Sequence, residues 1–204
     1  MSLCRACAAR WGLSKDKVPG GHRLHSGGMH SSHFTPIAGR ADPGAAISWF
    51  CHALAVIWFG LMAGFFGTYS ANINLAMQQM DGATYAIVQS AFNRNVRHTL
   101  FFAAFFGPPL WCALALAPAW RNRREPWWWC LALVGMAYTL GIIVFTRYVN
   151  LPLNYITEAW DPRTLPADWA QVRDQWNAAN LWRALLSLAL FGTALATLLT
   201  RKRP

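Results

Sequence analysis

Charge is scarce in this chain. Charged residues make up 13% of its 204 positions, about half the share usual in a soluble domain. Acidic residues are scarcer still, eight Asp and Glu against eighteen Lys and Arg, and no motif arranges any of them as a catalytic pair. Cysteine is sparse and unpatterned. Cys51, Cys112 and Cys130 fall within or at the edge of apolar runs, where a thiol reads as a small apolar side chain, so no disulfide framework is visible. The apolar stretches carry few charges and no repeat between halves is detectable, although both mark many transporters. No apolar core of a signal peptide precedes the first long apolar run.

What the chain has instead is hydrophobicity in blocks. Apolar residues reach 55%, with twelve Trp and twelve Phe. They gather into four stretches, about 47–67, 99–120, 127–146 and 182–200, each near the roughly 20 residues that cross a bilayer. Backbone groups in lipid must be satisfied within their own segment, so each stretch predicts a helix. The expected fold class is all-α: a four-helix transmembrane bundle over 47–204, with the lipid bilayer as its main partner.

The net charge of +10 does not point to nucleic acid, because its distribution follows the spans. Basic residues crowd the segment before the first span, recur as Arg121, Arg123 and Arg124 between the second and third, and end the chain as Arg201, Lys202 and Arg203. These segments share one side of a four-span protein, and the positive-inside rule makes that side cytoplasmic. An integral inner- or plasma-membrane protein with both termini in the cytoplasm is expected. Trp120 and Trp127–Trp129 sit at span ends, the depth that interfacial aromatics prefer.

Residues 1–46 are rich in Gly, Ser, His and Arg and carry no apolar periodicity, which predicts a disordered basic cytoplasmic tail. Cys4 and Cys7 with His22, His25, His30 and His33 supply zinc-type ligands. Their spacing fits no finger, and no apolar residues are placed to fold around a metal, so no metal site is expected. A bis-histidine haem fails on geometry. His52 and His98 open opposite ends of their spans, about 20 Å apart in depth at the helical rise, and no cofactor is expected.

Polar residues with directional chemistry gather on the other side. The first span runs into Tyr69, Asn72 and Asn74; the third ends in "YVNLPLNYITEAWDP", residues 148–162. Before the fourth span, Arg173, Trp176, Asn177, Asn180 and Arg183 follow one helical face. Two readings stay open for this stripe. One is a solvated juxtamembrane helix whose Asn residues cap helix ends. The other is a polar pocket in which Asn150 and Asn154, held either side of Pro152, face the stripe and a ligand. Planar, uncharged polar groups suit an aromatic or quinone-like molecule better than an ion.

The pattern Asn150-x-Pro152-x-Asn154, then Trp160, Arg173-x-x-Trp176 and Asn180-x-x-Arg183 opening the last span, resembles the anthrone-oxygenase-like family of small four-span membrane proteins. The first span ending in "GFFGTYSANINLAM" is similar too, so the resemblance covers about 47–200. Asn180 stands where many members carry His. The resemblance implies cofactor-free oxidation of an anthrone or quinol-like substrate by O2. On it, the candidate catalytic residues are Asn150, Asn154, Arg173, Trp176, Asn180 and Arg183, with Asn72, Tyr69 and Trp160 as substrate contacts. The alternative is a non-catalytic membrane module that binds a lipid, a quinone or a partner protein. The Gly60–Gly64 pair allows close helix contact, within the bundle or between subunits of a homo-oligomer.

Overall fold

The computed structural model describes residues 43–203. Within them lie four helices long and apolar enough to cross a membrane: α1 (Pro43–Met77), α3 (Thr99–Leu116), α4 (Pro126–Glu158) and α5 (Trp169–Thr200). A shorter helix, α2 (Gly82–Asn95), links the first two, and among the described residues there is no strand. This is the four-helix transmembrane bundle that the apolar blocks predict. The Cys4/Cys7 and histidine segment lies outside the described residues. Residues 43–46, placed with the tail by composition, are the first turn of α1.

Length determines where the bundle can hold a site. At 35, 33 and 32 residues, α1, α4 and α5 are each about 50 Å long, well beyond the roughly 30 Å hydrocarbon layer. α3 has only 18 residues and is about as long as that layer is thick. Where α3 stops, α2 takes its place, and the three long helices project around it.

Two prolines sit inside α3. Pro109 has no N–H to give the carbonyl of Phe105 one turn earlier. Tyr138 of α4, fully buried, donates to that carbonyl at 3.1 Å. The defect in one helix thus becomes a tie to the next. Pro152 works differently. α4 continues through it to Glu158. Wide turns at Thr139–Val144 and Thr146–Asn150 precede the proline, and Leu151 N–H bonds Thr146 O, five residues back. The i→i+5 pattern absorbs the lost donor.

The core joins α1, α3, α4 and α5 through Phe59, Met62, Phe66, Leu131, Tyr138 and Ile142, with Ala55, Ala115 and Ala194 at the closest approaches. Leu61, Phe106, Leu133, Leu185 and Leu199 point outward, as lipid-facing side chains do. Gly60 lies under Phe191 of α5, while Gly64 has no neighbour at its Cβ position. Gly60 therefore serves contact within the bundle. At the far end Ser48 donates to Ala115 O at 2.6 Å, and Arg201 donates to Ser48 Oγ at 2.8 Å. That end is tied shut.

Candidate functional site

The opposite end is open. A cavity of about 830 Å³ lies between all five helices. Much of its wall is aromatic, with Phe65 and Phe66 from α1, Phe92 from α2, and Phe101 and Phe105 from α3. One end is polar and carries Asn154, Trp176, Asn180 and Arg183. The sequence pattern placed α5 well, since Trp176, Asn180 and Arg183 recur at helical spacing and share this wall.

Arg183 is the unusual member. Only 7% of it is exposed, deep enough that a cation normally requires a partner. Its Nη2 donates to Asn180 Oδ1 at 2.8 Å, and Asn180 Nδ2 donates to Ser70 Oγ at 2.7 Å. The guanidinium carbon lies 4.6 Å from the Phe66 ring centre and 5.9 Å from that of Trp176. No carboxylate reaches it: the two acid–base ion pairs among the described residues are Arg97–Glu158 and Arg173–Asp174. Its Nε has no protein partner.

Around the aromatic part of the site runs a closed belt of bonds. Trp176 Nε1 donates to Asn154 Oδ1 at 2.6 Å, and the Tyr69 ring lies 5.1 Å from Trp176. Tyr69 Oη donates to Gln89 Oε1 at 3.4 Å, and Gln89 Nε2 to Asn93 Oδ1 at 3.1 Å. Asn93 Nδ2 donates to Thr157 Oγ1 at 3.1 Å, whose hydroxyl returns to Asn154 O at 3.0 Å. The belt fixes α1, α2, α4 and α5 to one another without filling the cavity. Sequence reasoning missed its α2 members, although Gln89 and Asn93 stand four apart and share a helix face.

The other predicted residues lie elsewhere. Asn72 is exposed, whereas Asn74, left out of the predicted set, is buried. The wide turn Tyr69–Ile73 is the cause. It adds about one residue per turn, so the position under Tyr69 comes five residues on rather than three or four. Arg173 does not line the cavity: its Nε donates to Asp174 Oδ1 at 2.9 Å, and it stacks over Trp169 at 5.2 Å. Trp160 stacks on Tyr85, centres 6.4 Å apart, also away from the cavity. Burial raises the Tyr85 phenol well above its ordinary range, so this hydroxyl stays protonated and neutral. Asn150 is 1% exposed, and neither side-chain polar atom has a protein partner. It lies behind the cavity wall rather than in it.

His98 also lines the cavity. It caps α3, accepting from Phe101 N–H at Nδ1, 3.3 Å away. That bond makes Nδ1 the acceptor and leaves the proton on Nε2. His52 is at the far end, its Nε2 3.2 Å from Ala194 O. Among the described residues no three His, Cys, Asp or Glu side chains are grouped to hold a metal.

Comparison with known proteins adds one finding. Residues 98–193 match the model of the anthrone oxygenase family, a stretch that begins at the His98 cap and takes in α3, α4 and most of α5. No curated protein and no solved structure matches the chain. Over this region the chain is similar to the anthrone oxygenase family, and its four apolar helices are consistent with a small four-span membrane protein.

Proposed function

We propose that the cavity binds a planar polycyclic aromatic with an acidic C–H or hydroxyl, and that the protein oxidises it with O2. The observation that carries this reading is Arg183, a buried guanidinium without a carboxylate at the polar end of an aromatic chamber. Burying an unpaired charge opposes folding, so its retention is best explained by a ligand that supplies the negative charge.

The chemistry follows from the substrate class. An anthrone has a CH2 between two aryl rings, opposite a ketone. Removing one proton gives an anion whose charge rests on the ketone oxygen, within the reach of Arg183 and Asn180. Preorganised donors at such an oxygen are worth most where water is excluded. The electron-rich anion then gives electrons to O2. One oxygen atom becomes the new ketone and the other leaves as water, so one O2 is consumed per quinone formed. Trp176 and Tyr69 stack on the rings, and the proton removed, together with the second hydrogen of the CH2, ends on the departing water. Charge distribution sets the cavity on the extracytoplasmic side with both termini cytoplasmic.

Binding tests this directly. Purified protein in lipid nanodiscs should bind 1,8-dihydroxyanthraquinone, a stable coloured product analogue. Arg183→Met should weaken binding by about 10- to 150-fold, the equivalent of the roughly 1.5–3 kcal/mol of a hydrogen bond to a charged group. Equal affinity in the two proteins would refute the role given to Arg183. Tight binding without turnover of the matching anthrone would favour the non-catalytic binding module.

A further inference from the structure

The reading of the cavity as an aromatic site leaves open how a ligand gets in, and the walls are unequal. Exposed lining residues occur around the mouth, Phe65 and Phe92 among them, and they include stretches on two neighbouring helices: Phe102 and Phe106 of α3 are 44% and 49% exposed, and Val144 and Tyr148 of α4 are 38% and 74% exposed. A side chain can line a cavity and be exposed only beside an opening. Phe106 is seven residues below the start of α3, about 10 Å along the helix. The opening therefore extends well into the depth of the hydrocarbon layer, between α3 and α4.

The α3–α4 gap is strapped at its outer end. Arg97, just ahead of α3, makes a two-pronged ion pair with Glu158 at the end of α4, with Nη1 donating to Oε2 at 3.1 Å and Nη2 to Oε1. The same guanidinium lies 5.9 Å from the Tyr155 ring centre. Arg97 and Tyr155 both line the cavity, so this cluster bridges the gap between α3 and α4 on the side where the helices leave the membrane. Deeper in, the polar tie between the two helices is the fully buried bond from Tyr138 Oη to Phe105 O, and the exposed rim is Phe102, Phe106 and Val144.

We propose that the slot between α3 and α4 is a lateral portal, and that the substrate class is a membrane-dissolved apolar polycycle that enters from the acyl-chain layer. This proposal rests on the aromatic-site reading and adds a route to it. A fused tricyclic ring concentrates in hydrocarbon because its apolar surface leaves water, so the bilayer is where such a substrate accumulates. The portal also explains why the rim is phenylalanine and valine while the charged pair is confined to the outer end.

The test uses the full-length protein in phosphatidylcholine vesicles loaded with 1,8-dihydroxyanthraquinone, and follows the approach to binding through the dye spectrum. Phe106→Trp and Val144→Trp, which narrow the slot from opposite helices, should each slow association at least tenfold. Leu110→Trp, one turn below Phe106 and outside the cavity lining, should leave it unchanged, and Arg97→Gln should not accelerate it. Wild-type rates in both rim variants would overturn the portal while the cavity reading stands. Absence of dye binding to wild-type protein would overturn the cavity reading and with it the ligand class.

Discussion

The bond between Trp176 and Asn154 offers a quantitative check on the belt. At 2.6 Å it joins two long helices beside the cavity, and Trp176 is almost fully buried. Asn154→Ala leaves the indole N–H without an acceptor, which costs about 1–3 kcal/mol where water cannot replace it. Trp176→Phe leaves the Asn154 oxygen without its donor, but Asn154 is only half-buried and water offsets part of that loss. The double variant loses the bond once rather than twice. Side-chain bonds between membrane helices average about 0.6 kcal/mol and reach about 1.7. A short bond with a well-packed donor belongs in the upper part of that range.

A double-mutant cycle by SDS-driven unfolding in mixed micelles should therefore give a coupling energy near 1–1.5 kcal/mol. The single variants should also lose unequally, with Asn154→Ala the worse of the two in its effect on the bond. Additivity within about 0.3–0.5 kcal/mol would refute the reasoning. The two helices would then be held by apolar packing alone, and the belt would not fix the cavity.

Three further outcomes follow from the same geometry. Asn150→Leu should stabilise the protein by about 1 kcal/mol, because it removes a buried amide whose two polar atoms have no protein partner; a lower thermal midpoint would show that the amide is satisfied in the folded protein. Asp81 caps α2 through bonds from Thr84 N–H and Thr84 Oγ–H, and these hold its carboxyl below the ordinary range. Its stabilising effect is thus complete above about pH 4 and fades as pH falls through the lowered value, so Asp81→Ala should flatten the pH dependence of the thermal midpoint in that window, and an unchanged acid limb would contradict the cap. Reporter fusions at about residues 85 and 165 should both read as extracytoplasmic, and a cytoplasmic signal at either would reverse the orientation.

The sequence made the spans legible because lipid requires apolar blocks of fixed length, but hydropathy marks the thickness of the membrane and not the ends of a helix. The third apolar block stops near 146, whereas α4 runs on to Glu158, carrying Asn154 and Thr157 into the belt. The Trp176–Asn180–Arg183 wall was legible as a polar stripe on α5. Arg173 extends that stripe on paper, yet it lies farther out along α5 and finds Asp174 and Trp169 instead. Asn72 and Asn74 exchanged roles through a wide turn that no residue pattern announces. The phenylalanine wall was hidden for a simpler reason. A membrane helix is apolar on every side, so Phe101 and Phe105 carry no signal separating cavity from lipid.

The most direct test of the central claim is oxygen consumption. Vesicles containing the protein and 1,8-dihydroxyanthrone should consume one O2 per anthraquinone formed, at a rate far above the spontaneous oxidation seen in empty vesicles. Arg183→Met vesicles, with the same amount of folded protein, should fall to within a few-fold of the empty ones. Equal rates in wild-type and Arg183→Met vesicles, or a wild-type rate no faster than empty lipid, would contradict oxidation at this cavity.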